Sequence, residues 1–500
     1  MGQEVNLSQD RKPAPREASR TPATRNPEPL PGYREPARVE AGASLGRGSR
    51  APAGIGPGSR PDPSPVPRGG ARLSWYGPAL LWMVSAVGSG SVLFTPRVAA
   101  RYEYALLWVA LLTCGFMWVM IREAARYTTV TGKTLLDGFN RLPGPRGWAL
   151  WVIFLPQLFA AVVGVAGLCA LVGSAAQVAG GGSHAFYTLA MIGLSTALVA
   201  WGEYGAVERL CRYMAILLIL LSGAAAAQVF PGPAALAAGL TPDLPEAFDL
   251  KFVLPWIGTI LAGSMGIVWF SYWTATEGYG GASALSAETR RSPDAAPCRE
   301  SAERWQRLRG WNLLVSRAAG VAVLCGTFVI LSFNVLGAEL LAPQGTIPAG
   351  MDVARDLAAL LGEIWGSLGF WTLIALTLFA LGGSVIANQD GWSRSFADMT
   401  LLLLGREPRW LPRRRLKRLF VLVVTGALPA GVYLLVRDPV EIMSLSGVVA
   451  AAHTPFIVLL ILIVNRRHLP KGLAPGVFST LLLAAAGLYY LGVSALRMLV

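Results

Sequence analysis

The sequence predicts an all-α integral membrane protein of about eleven transmembrane helices, and three observations carry that expectation. Of its 500 residues, 53% are hydrophobic and only 14% are charged, with a mean hydropathy of +0.49; a set of soluble domains would carry far more charge. Eleven apolar stretches are long enough, at roughly 20 residues each, to cross a hydrocarbon core of about 30 Å as helices. The loops between them alternate between basic and nearly uncharged or acidic, and cytoplasmic loops are the ones enriched in lysine and arginine.

The chain opens with Met1 to Leu73, rich in Pro, Arg, Gly, Ala and Ser and nearly free of large apolar residues. Burial cannot offset its ordering entropy, so residues 1–73 are expected to form a disordered basic cytoplasmic tail and residues 74–500 the transmembrane domain. The tail lacks the apolar core of a secretory signal. The spans then follow as Gly77 to Val98, Ala105 to Ala125, Trp148 to Val172, Phe186 to Trp201, Cys211 to Phe230 and Phe252 to Thr274. The remaining five are Trp311 to Leu336, Trp365 to Ala387, Lys417 to Val436, Ile442 to Val464 and Pro475 to Leu499.

Loop arginine and lysine concentrate in Arg122 to Arg146, Glu203 to Arg212, Glu277 to Arg309, Asp390 to Arg418 and Asn465 to Lys471. These loops face the cytoplasm by the positive-inside rule, which places the N-terminus inside and, after an odd number of spans, Val500 outside. The +14 net charge is therefore topological, and no nucleic-acid motif accompanies it. The five cysteines are scattered without metal-type or disulfide spacing.

Two spans carry interruptions. The first, PALLWMVSAVGSGSVLFTPRV, holds Gly88-Ser89-Gly90-Ser91 in its middle, and the sixth, FVLPWIGTILAGSMGIVWFSYWT, holds Gly263-Ser264-Met265-Gly266. Unwound backbone at membrane depth is tolerated only where it is buried in protein or lines a cavity. Broken helices in corresponding positions of two five-helix units point to an inverted-repeat secondary transporter with its site between them. The competing reading is a pair of kinks whose small residues serve helix contact.

With this architecture in place, Gly77 to Val109, GPALLWMVSAVGSGSVLFTPRVAARYEYALLWV, resembles without a gap the opening of the Nramp family (natural resistance-associated macrophage proteins). Val130-Thr131-Gly132-Lys133 with Leu135 resembles that family's motif after the second helix, and Gly202-Glu203-Tyr204 through Glu208-Arg209 its motif between the fourth and fifth. Gly382 to Asp398 and Thr454-Pro455-Phe456 are similar to parts of its eighth and tenth helices. The resemblance implies a leucine-transporter-like 5+5 inverted repeat with broken helices 1 and 6. It also implies transport of divalent metal ions by alternating access, with a proton as coupling ion.

The departures fall on the ligands. Where the family has Asp-Pro-Gly-Asn, this chain has Gly88-Ser89-Gly90-Ser91, so the resemblance places the metal carboxylate on Gly88 and the amide on Ser91. In the sixth helix its thioether falls on Ile267, with Met265 as a possible substitute, and its histidine on Trp269. What remains for a metal is the hydroxyls of Ser91 and Ser264 with backbone carbonyls, a set suited to a cation that keeps most of its waters. The alternative is an organic solute, such as an amino acid or carboxylate, held on the free N–H groups of the Gly88-Ser89-Gly90 break.

Five further residues stand out as gating or coupling candidates. Arg97 adds positive charge beside the break or snorkels to the outer interface. Arg317, near the cytoplasmic end of the seventh span, snorkels to the interface there or serves a gate. Asp390 and Arg394 stand at i and i+4, placed to pair on a helix surface or to latch an inner gate, and His453 is a proton-relay candidate or a hydrogen-bonded core histidine. Nothing resembles a hydrolytic triad, a phosphate-cradling loop or a redox-cofactor site, so neither enzymatic activity nor a cofactor is expected. The expected partners are a small solute or metal ion and the lipid bilayer.

Overall fold

The computed structural model describes residues 63–86, 88–202, 205–283 and 302–499, and among them there are helices and turns but no strands. The first span is made of α1 (Gly77–Ala86) and α2 (Thr95–Tyr102), the latter entered through a π-helical turn at Gly90–Phe94. There follow α3 (Leu107–Thr131), the short α4 (Leu135–Asn140), α5 (Trp148–Gly180), α6 (His184–Trp201), α7 (Gly205–Gln228) and the short α8 (Pro233–Ala238). The sixth span is split into α9 (Leu250–Thr259) and α10 (Gly263–Thr276). The chain continues through α11 (Ala302–Leu336), α12 (Val353–Leu404), α13 (Arg413–Leu422), α14 (Leu428–Val436), α15 (Pro439–His468) and α16 (Val477–Leu499).

Among the described residues, ten helical stretches are long and apolar enough to cross a membrane. The first expected span is not among them because each of its halves is short. Local signals explain several ends. Gly132 takes the left-handed conformation (φ 76°) that stops α3, and Thr134 with Asp137 forms a capping box that starts α4. Asp438 accepts from the N–H groups of Val440 and Glu441 to start α15. The eighth span begins after a break at Trp365 and Gly366 (φ 61°), so Val353 to Ile364 forms a separate lead-in.

Helix α5 is the axis of the bundle. It is buried along most of its length and packs against α6, α12 and α15. At the edges α6 and α16 turn Phe186, Leu194, Phe478 and Leu488 outward, where lipid makes apolar exposure free of cost.

The structure differs from expectation in three places. The sixth-span break lies at Ile260–Ala262, with Leu261 at φ 64°, and not at Gly263–Gly266, which form the first turn of α10. Its cause is backbone geometry set by neighbours, which the glycines do not mark. Residues 63–73, expected to belong to a disordered tail, are described and anchored to the helical domain. Trp311 Nε1 donates to the Ser64 carbonyl at 2.8 Å and Arg307 Nη1 to the Pro63 carbonyl at 3.1 Å, and backbone acceptors of this kind leave no trace in composition. The helix of the seventh span is already formed at Ala302, ahead of the expected Trp311, and carries the i,i+4 ion pair of Glu303 with Arg307. Residues 1–62, Val87, Glu203-Tyr204, residues 284–301 with Cys298, and Val500 lie outside the described residues.

Candidate functional site

The two breaks touch each other. A Cβ built on Gly90 would overlap the Thr259 carbonyl at the end of α9, so the missing side chain is what lets the two backbones meet. Gly88, two residues earlier, is different: its Cβ would lie 3.9 Å from the Ala86 carbonyl oxygen and 3.9 Å from Ser384 Oγ on α12, ordinary contact distances.

The half-helices meet with opposed polarity. Helices α1 and α9 end at the breaks and present carbonyls, whereas the π turn into α2 and the start of α10 present N–H groups. Such a place can hold a cation on its carbonyl ends or an anion on its N–H ends, and the side chains decide between them. Those at hand are Ser89 and Ser91, both buried, and Ser264, also buried. Met265 and Ile267 are packed in the core, at 3% and 0% exposure. Among the described residues no group of three or more His, Cys, Asp or Glu side chains could hold a metal ion.

Two indole donors tie the halves together in crossed pairs. Trp82 on α1 donates from Nε1 to the Gly266 carbonyl of α10 at 3.1 Å. Trp256 on α9 donates to Thr95 Oγ1 of α2 at 3.0 Å, and Thr95 in turn donates to the Gly90 carbonyl at 2.8 Å. Trp256→Phe is expected to lower stability by about 1 kcal/mol, the net worth of a typical hydrogen bond; an unchanged thermal unfolding midpoint in detergent would show that the bond contributes nothing.

Ser264 belongs to a buried polar network that the sequence reading did not assemble. Gln157 on α5 donates from Nε2 to Ser264 Oγ at 2.7 Å and to His453 Nδ1 at 2.7 Å, and its Oε1 accepts from Trp392 Nε1 at 3.4 Å. An indole only donates, which fixes the amide orientation. The remaining imidazole nitrogen, Nε2, faces the Val152 carbonyl at 3.1 Å and must carry the hydrogen, so this is the geometry of neutral His453. Trp269 joins from the other side, donating to Ser395 Oγ at 3.0 Å and meeting Trp392 edge to face at 5.4 Å. Gln157→Leu would leave several buried polar groups without partners, each at a cost of about 1–3 kcal/mol. The expected result is a large drop in unfolding temperature, with Gln157→Glu, which keeps the shape and an acceptor, less damaging than Gln157→Leu.

A signal for Gln157 was available, because it is the sole strongly polar side chain in the stretch Trp148 to Val172, and an intramembrane polar residue is a functional candidate by default. The other singled-out residues lie apart from this network. The Arg97 guanidinium stacks over the Phe252 ring at 4.8 Å. Arg317 is exposed on α11. Asp390 pairs with Arg394 and, at 2.6 Å, with Lys417 of α13, so that pair joins two helices. Tyr272, beside the sixth-span break, donates to Asp398, whose carboxylate also receives Arg413, and Trp273 lines a small hollow together with Ala79 and Val315.

Comparisons with known proteins agree with this geometry. The family model described as Natural resistance-associated macrophage protein-like (Nramp) matches residues 79–499. A crystallised manganese transporter of Eremococcus coleocola, solved as a point mutant, is similar with a TM-score of 0.61 at 13% identity, covering 87% of this chain and 89% of that one. MhsT, solved in complex with L-phenylalanine, is similar with a TM-score of 0.56 at 14% identity, covering 85% and 97%. An uncharacterised protein of Pasteurella multocida (strain Pm70) is 26% identical over 153 residues, which are 30% of this chain and about a third, 34%, of that relative. The structural matches show the leucine-transporter-like fold with its broken first and sixth spans.

Proposed function

The chain belongs to the Nramp family, and from that premise we propose that it is a secondary carrier moving a divalent metal ion across the membrane by alternating access. The observation that supports the reading is the close backbone approach of the two broken spans at Gly90 and Thr259, with Ser91 and Ser264 buried on those same two spans. The metal is the substrate, and this ligand set is neutral and built of hard oxygens. It favours a cation that keeps several waters, as magnesium does, over manganese or iron held by anionic or thioether ligands.

The crossed ties suggest how the site opens. Helices α1 and α10 are fastened by Trp82, and α2 and α9 by Trp256; each pair can move as a body against the other and against the α5 axis. The same proposal includes an inside N-terminus, an outside C-terminus, a proton as coupling ion and no enzymatic activity. Charge alternation in the loops supports the orientation.

The test is uptake into proteoliposomes of magnesium, manganese and a panel of amino acids and carboxylates, with and without an inward proton gradient. Saturable magnesium flux above manganese flux, raised by the gradient, is expected. Flux of an organic solute with no metal flux would replace this reading with the carboxylate one, and no flux of anything would leave a receptor or scaffold.

A further inference from the structure

The segment 63–76, which composition assigns to a loose tail, is built into the end of the bundle that charge alternation places at the cytoplasm. Its sequence, PSPVPRGGARLSWY, has proline at 63, 65 and 67, so its first half lacks three N–H donors and favours an extended backbone before it docks. Little ordering entropy is then lost on docking, and the carbonyls find donors. Trp311 Nε1 on α11 donates to the Ser64 carbonyl at 2.8 Å, and Arg307 Nη1 to the Pro63 carbonyl at 3.1 Å. The Ser64 N–H donates to Ser283 Oγ at 3.3 Å, and the Tyr279 hydroxyl donates to the Trp75 carbonyl.

Side chains close the joint. Trp75 stands edge to face with Tyr279 at 4.9 Å and with Trp311 at 4.6 Å, and both partners are buried. Val66 lies so near α11 that a Cβ built on Gly310 would come within 2.7 Å of Val66 Cγ2 and 3.6 Å of Val66 Cβ. The segment thus holds two neighbours: the turn after α10, through Tyr279 and Ser283, and α11, through Arg307, Gly310 and Trp311. It runs directly into α1 at Gly77, and α1 is tied to α10 by Trp82.

We infer that residues 63–76 form a strap that holds the carrier closed on the cytoplasmic side and must leave α11 for the solute to pass. This rests on the alternating-access reading above. The strap, α1 and α10 are joined by chain continuity, by Trp82 and by the Tyr279 and Ser283 contacts, so they form one unit. The bonds to Arg307 and Trp311 cross from that unit to α11. An opening that carries α1 and α10 away from α11 therefore breaks the two bonds to the Pro63 and Ser64 carbonyls and lifts Trp75 off Trp311, whereas the Trp75–Tyr279 and Ser64–Ser283 contacts survive it. Two ordinary hydrogen bonds and one aromatic pair are a hold weak enough to be released within a transport cycle.

Two cross-links in the full chain, each with Cys298→Ser to remove a competing thiol, test the strap. Val66→Cys with Gly310→Cys sets two Cβ atoms 3.6 Å apart, a separation that suits a disulfide, and pins the strap to α11. Ser64→Cys with Ser283→Cys, where the hydroxyl oxygens are 3.3 Å apart, pins it to the turn after α10. Uptake of magnesium, manganese and the organic panel into proteoliposomes is measured for each pair oxidised and reduced, and amide exchange of residues 77–86 is followed beside it by mass spectrometry in nanodiscs. Oxidising the Val66–Gly310 pair is expected to lower flux and slow exchange by roughly tenfold or more, both restored by reductant; oxidising the Ser64–Ser283 pair is expected to change neither. An oxidised Val66–Gly310 pair that transports like its reduced form would overturn the strap, as would equal losses from the two cross-links or a Val66–Gly310 pair that does not oxidise. Absence of any flux from the reduced proteins counts against the carrier reading, and the exchange of residues 77–86 then decides the strap alone: slowed by oxidation it stands, unchanged it falls.

Discussion

Gly90→Ala is expected to destabilise the protein more than any other single methyl addition in the first span. The added Cβ would run into the carbonyl of Thr259, a backbone atom that no rotamer change can move aside. Helix α9 has no room to retreat. On its far side a Cβ on Gly258 would meet the Gly447 carbonyl of α15, and one on Gly447 would meet the Pro255 carbonyl, so α9 is pressed between two backbones. Overpacking a relaxed core costs about 1–3 kcal/mol, occasionally more; with both sides pinned, the upper end or beyond is expected. Gly88→Ala is the matched comparison, because its Cβ meets nothing closer than 3.9 Å. Folded yield and thermal unfolding in detergent measure both. A Gly90→Ala protein as stable as Gly88→Ala would mean the breaks do not press together as described.

How much of this was legible in the sequence varies with the physics involved. The spans were legible because each must supply a membrane's thickness of apolar residues, a long-range average that single residues do not disturb. The first-span break was legible because its glycines coincide with it. The sixth-span break was displaced by three residues because the residue that turns the chain is Leu261, at a positive φ that leucine rarely adopts, and nothing in the local sequence announces such a conformation. The neighbouring Gly263 (φ 57°) and Gly266, whose Cβ would meet Ala262, have their own reasons for being glycine.

Contacts between distant elements were the least legible. Gln157, Ser264, His453 and Trp392 come from four helices and meet only once the bundle is packed. Sequence reading could flag His453 and Ser264 singly, but it could not tell that an amide would satisfy both. The same applies to Thr95 and Trp256, an ordinary threonine and tryptophan until the two breaks are brought together.

Gly88→Asp is expected to tighten divalent-metal binding if the proposed function holds. The structure leaves room for the added Cβ, since it would meet nothing closer than the Ala86 carbonyl and Ser384 Oγ, each at 3.9 Å. An anionic oxygen would then join the neutral ligands Ser91 and Ser264. In surroundings of intermediate dielectric, unit charges at about 4 Å interact by about 4 kcal/mol before the cost of desolvation. A gain of tenfold or more in affinity, about 1.4 kcal/mol per tenfold, is a conservative expectation, larger for manganese than for magnesium because manganese sheds its waters more readily. If the break instead holds a substrate carboxylate on its N–H groups, the same aspartate occupies that place with like charge, and transport of the organic substrate collapses. Gly88→Ala separates either effect from lost backbone freedom. Calorimetric titration of manganese and magnesium into both variants, with uptake measured beside it, gives opposite signs for the two mechanisms: tighter metal binding with preserved flux rules out the carboxylate site, and flux of an identified organic solute abolished in Gly88→Asp but kept in Gly88→Ala rules out the metal site.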